Sequence, residues 1–123
     1  MSGTGGGPRR YTDADLAALP PNVAAESIAD TRIILPKDAA LEAIAHFATQ
    51  GRPLENWEGW MRLADGSRVK SLSHVGSFAM SRDAKRAADA ARAGIEAAQR
   101  RWDRDPEYPN AALYFALTFA AAT

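Results

Sequence analysis

No cysteine occurs among the 123 residues. Disulfides and thiol chemistry are therefore excluded, and a zinc site is left with two histidines, His46 and His74, plus carboxylates. An excess of one charge is also lacking, since 15 Lys+Arg balance 15 Asp+Glu. No overall field draws the chain to nucleic acid or an anionic membrane, so electrostatic recognition must come from local patches. No apolar run approaches the ~20 residues of a membrane span, and Met1 to Pro8 lack the hydrophobic stretch of a signal peptide. No membrane association and a cytoplasmic location are the expectations. Glycines are never spaced as in a phosphate-binding loop that follows a strand, so no nucleotide or other cofactor is expected.

What is present is ordinary globular composition, 46% hydrophobic and 24% charged, enough to bury one core in a chain of this length. Abundant alanine, and arginine in excess of lysine, are a bias common in proteins from GC-rich bacterial genomes. Residues 2–10 hold four glycines, a proline and two arginines and are read as a disordered tail. Thr12 is placed to cap a helical turn over Asp13 to Leu16, closed by Pro20-Pro21. The division expected is a flexible tail and short helical arm over 1–22 and a single α+β domain over 23–123.

Within that domain, Thr31 to Leu35 reads as a strand stopped by Pro36. Asp38 is placed to cap a helix running to about Gln50, with Ala40, Leu41, Ile44, Phe47 and Ala48 on its buried face and Gly51 as terminator. Trp57 to Leu63 and Arg68 to Val75 flank Asp65-Gly66, which suits a two-residue type I′ hairpin turn. That turn predicts Trp57 beside His74, Trp60 beside Ser71 and Arg62 beside Val69; a slip of one residue would reverse the faces. Ser81 is placed to cap a long helix to about Asp103, whose stripe Ala84, Ala88, Ala91, Ile95, Ala98 and Trp102 is largely alanine. Gly94 beside that stripe permits close helix approach. Leu113, Phe115, Leu117 and Phe119 alternate along a last strand whose other face is also uncharged. The fold expected is two helices packed on a four-stranded, mainly antiparallel sheet in the ferredoxin-like order β-α-β-β-α-β.

Catalytic patterns are sparse. Ser71, Ser73 and Ser77 surround His74, but strand neighbours alternate faces and no nucleophile elbow is present. His46 lies nearly opposite Ile44 on its helix and reads as a surface residue. His74 beside Trp57 suits either a binding pocket or an imidazole stacked on a core aromatic. The segment Glu55 to Trp60 is the most unusual, with two tryptophans and two acids in six residues. Aromatic anchors beside charges favour binding, whereas the competing reading has one tryptophan plugging the core. RNA binding is disfavoured, because the strand from Arg68 lacks interleaved aromatics.

The binding residues expected are thus Trp57, Glu58, Trp60, Arg62 and His74, with no catalytic or metal-ligating residue. The function expected is a small non-enzymatic protein of the inhibitor or immunity type that contacts another protein. The alternative is a homodimeric small-molecule-binding protein or enzyme with a pocket near His74 and Arg62.

Overall fold

The structure, a computed structural model, describes residues 15–71 and 82–120. After a helical turn at 15–17, the described elements are α1 (Pro21–Ala24), β1 (Ile33–Leu35), α2 (Lys37–Ala48), β2 (Leu54–Arg62), β3 (Arg68–Lys70), α3 (Ala84–Arg104) and β4 (Ala112–Phe119). Pro21 opens α1 at a position where its missing N–H costs nothing, so the Pro20-Pro21 pair starts a helix as well as ending the preceding turn. Pro36 occupies the N-cap of α2 and leaves Asp38 inside the first turn, where its charge suits the helix dipole. Gly51, at φ 72°, terminates α2, and Arg52 N–H donates to Phe47 O. Asp83, whose carboxylate accepts from Arg86 N–H at 2.9 Å, caps α3. Ser81, the cap expected from the sequence, lies outside the described residues, as do the tail at 2–10, Thr12, Ser73, His74 and Ser77.

The sheet is four-stranded and antiparallel throughout, and the α+β class is as expected. Its strand order is β1-β4-β2-β3. A ferredoxin-like sheet has its first and third strands at the centre, whereas here β4 and β2 are central. The long strands β2 and β4 pair from Leu54–Phe119 to Arg62–Ala112 and protect each other's backbone groups, leaving the three-residue β1 and β3 as short edges. Since β1 and β2 are both antiparallel to β4, they run in the same direction with β4 between them.

Both long helices pack on one sheet face. There Ile33 and Leu35 of β1, Trp57 and Met61 of β2, and Leu113, Phe115, Leu117 and Phe119 of β4 join Ile44 and Phe47 of α2 and Ile95 and Trp102 of α3 in one cluster. Leu41 and Ala48 are half-buried at its edge, while Ala39 and Ala43 take the deeper positions on α2. The alanines of α3 bring its backbone down onto Trp57, so that a Cβ built on Gly94 would meet Trp57 Cζ2 at 3.0 Å. The arm also packs here: Leu19, with Val23 of α1 just after it, is buried in the cluster. Asp15 makes a two-point ion pair with Arg52 (2.7 and 3.2 Å), whose Nε donates to Ala120 O.

The hairpin between β2 and β3 has a different register from the one expected. Trp60 pairs with Lys70, Met61 with Val69 and Arg62 with Arg68. The loop has three residues, Ala64 to Gly66: Leu63 N–H donates to Ser67 O, Gly66 N–H donates to Leu63 O, and only Gly66 has positive φ (89°). A type I′ turn would need a second positive φ at Asp65. Instead the Asp65 carboxylate accepts from both the backbone N–H and the hydroxyl of Ser67, which favours the longer loop. The expected pairs Trp60–Ser71 and Arg62–Val69 are therefore not formed; Ser71 and Val69 face the helix side, and Lys70 and Arg68 take their places beside Trp60 and Arg62.

Candidate functional site

The one-residue change in register determines the chemistry of the sheet face turned away from the helices. On β2 the alternation that sends Trp57, Gly59 and Met61 inward sends Glu58, Trp60 and Arg62 outward. Cross-strand neighbours complete that face: Lys70, Trp60 and Tyr114 lie in one row, Arg68, Arg62 and Ala112 in the next, and Glu58, Ala116 and Ile34 on the other side. Small groups were expected beside the aromatic residues, yet the partner strand places two cations there.

Glu58 organises the centre. Its carboxylate meets Lys70 Nζ at 2.9 Å and Arg32 Nη2 at 3.6 Å, and accepts from the Trp60 indole N–H at 3.4 Å. Arg32 also stands over the Trp60 ring, 5.7 Å from its centroid. Because β4 lies between β1 and β2, the link from Arg32 to Glu58 must pass over β4, where Ala116 lies between Ile34 and Glu58. A small residue is needed beneath that bridge, and Ala116 has no exposed surface. Burial alone would raise the Glu58 pKa. The hydrogen bonds from Lys70 and Trp60 and the charges of Lys70 and Arg32 outweigh it and hold the carboxyl below its ordinary range. The Trp60 indole is thus held by a carboxylate and a guanidinium and is half-buried.

Beyond this cluster, Arg62 and Arg68 extend toward the hairpin turn. On this face Glu58 is the carboxylate that lies among Arg62, Arg68 and Lys70, with Arg32 just before β1. A chain of zero net charge has thereby concentrated positive charge on one surface.

The expected binding residues divide accordingly. Glu58, Trp60 and Arg62 share the open face. Trp57 lies on the opposite face, 6% exposed and edge-on to Phe115 at 5.6 Å between ring centroids. His74 is outside the described residues. Arg32, Arg68, Lys70 and Tyr114 were not among the expected site residues. The alternation Arg68-Val69-Lys70-Ser71, charged out and small or apolar in, was the signal for the first of the hairpin cations and its neighbour. Among the described residues, no group of three or more His, Asp or Glu is placed to hold a metal, and no helix is long and apolar enough to cross a membrane.

With fold and site in view, the chain defines itself as a small α+β protein with two helices on one face of an antiparallel sheet and an aromatic, cationic surface on the other. No family model, no curated protein and no solved structure matches it.

Proposed function

We propose that this chain is a non-enzymatic binding protein of the inhibitor or immunity type, which engages an acidic surface of another protein through the open face of its sheet. The supporting observation is the placement of Trp60 and Tyr114 side by side among Arg32, Arg62, Arg68 and Lys70. Aromatic residues and arginine dominate binding energy at protein interfaces, and here Glu58 and Arg32 fix the tryptophan beforehand, which lowers the entropy lost on association. A partner rich in Asp and Glu is attracted by the four cations, which steer encounter and make the rate salt-dependent.

The test is capture of a partner from the native host, with wild-type protein, Trp60→Ala, Lys70→Glu and the helix-surface control Arg92→Gln in parallel. The reading requires a protein retained by wild type and by Arg92→Gln but lost with both face variants. Equal retention by all four, or retention of nucleic acid alone, rejects it.

A further inference from the structure

A cleft of about 530 Å³ opens at the hairpin end of the same sheet face, between the segment 25–28 and the turn at Gly66. Arg62, Arg68 and Tyr114 line one side; Glu26, Ser27 and Ile28 line the other. We infer that this cleft is a binding site for a small molecule bearing a compact oxyanion, a phosphate monoester or carboxylate, held between Arg62 and Arg68. The cleft shares Arg62, Arg68 and Tyr114 with the face proposed to meet a protein, but the inference rests on the cleft's own lining and is tested without a protein partner.

Backbone geometry brings the two guanidinium groups together. Leu63 bonds to Ser67 and Ser71 to Gly59, so Arg62 and Arg68, between those rungs, form a non-hydrogen-bonded pair, the class in which opposed side chains lie closest, with Cα atoms about 4.5 Å apart. Like charges directly opposite are unfavourable. Among the described residues no carboxylate forms an ion pair with either arginine. Among the described residues the Arg62 guanidinium makes no hydrogen bond, nor does the Tyr114 hydroxyl. Arg68 uses one donor on Ile28 O at 2.5 Å, which fixes it across the cleft and leaves its other donors available. The far wall is itself tied down: the Ser27 hydroxyl donates to Ala29 O and accepts from Ile34 N–H, and Ile28 N–H donates to Ile34 O. An oxyanion between the arginines would neutralise their repulsion and accept charge-assisted hydrogen bonds from both. Glu26, on the opposite wall, selects against additional negative charge and favours a ligand that carries a donor at its other end.

The experiment is NMR titration of the intact chain with inorganic phosphate, and separately with acetate, at constant ionic strength, reading arginine side-chain and Gly66 amide signals. A saturable shift of the Arg62, Arg68 and Gly66 signals is expected, with phosphate against acetate distinguishing the two chemistries. Arg62→Gln and Arg68→Gln should each weaken binding by about tenfold, the loss of one charge-assisted contact. Glu26→Gln should strengthen it, a sign that nonspecific surface attraction would share but that Arg92→Gln, expected to have no effect, separates from the cleft. Shifts spread over the α3 arginines, or affinity unchanged in Arg62→Gln and Arg68→Gln, would overturn the inference. Because Trp60→Ala leaves the cleft intact, phosphate binding must persist in that variant; its loss there would also overturn the assignment.

Discussion

Replacing Gly94 with alanine sets two effects of known sign against each other. Alanine in place of an interior helical glycine stabilises by about 1 kcal/mol through backbone entropy. The new methyl, however, would stand 3.0 Å from Trp57 Cζ2, closer than nonbonded carbon atoms pack. Trp57 has little room to retreat, because its ring abuts Phe115, which has no exposed surface. Overpacking of this kind costs roughly 1–3 kcal/mol, so the net change should be a destabilisation of up to about 2 kcal/mol. Urea denaturation of Gly94→Ala measures the net effect. Ala90→Gly, at an exposed position of the same helix, measures the propensity term alone. Combining Gly94→Ala with Trp57→Phe should recover stability relative to the sum of the single changes, because the smaller ring vacates the contact. A gain of about 1 kcal/mol in the Gly94→Ala protein would refute the close packing of α3 on Trp57.

Phe115→Ala, at the centre of the core, should cost about 3–5 kcal/mol in chemical denaturation, and a loss below about 1 kcal/mol would contradict its enclosure. Glu58 titrates below its ordinary value of 4.5, so its ionised form adds stability above that value that is lost as pH falls through the lowered folded one; Glu58→Gln should flatten this part of the acid-unfolding curve, and an unchanged curve would deny the carboxylate its role. Arg52→Ala removes the partner of Asp15 and should lower stability by about 1–3 kcal/mol while exposing the arm to limited proteolysis, whereas a neutral effect would show that the arm is held by Leu19 and Val23 alone. Deleting residues 2–10 should leave the melting temperature unchanged.

Local patterns carried most of the fold. The stripes of Ile44 and Phe47, of Ile95 and Trp102, and of Leu113 to Phe119 each marked a buried face because helix and strand periods are fixed by backbone geometry. Strand order was not legible, since no local signal states that β4 will insert between β1 and β2. The hairpin register was misread by one residue for a specific reason. Asp65-Gly66 suits a type I′ turn, but the Asp65 carboxylate can also bind Ser67, and that second possibility, with one positive φ instead of two, is the one adopted. The same error concealed the charge of the site, as it placed Val69 and Ser71 where Arg68 and Lys70 stand. Arg32 and Arg52 act across long sequence separations and had no local signature.

Trp60, and not Trp57, is proposed as the tryptophan that works at a surface. The most direct measurement is the affinity of Trp60→Ala for the captured partner, on protein shown by its melting curve to be folded. A loss of at least about 2 kcal/mol of binding free energy is expected, with the fold retained. Binding as tight as that of the wild type, or unfolding of Trp60→Ala, would contradict it and make the open face part of the scaffold.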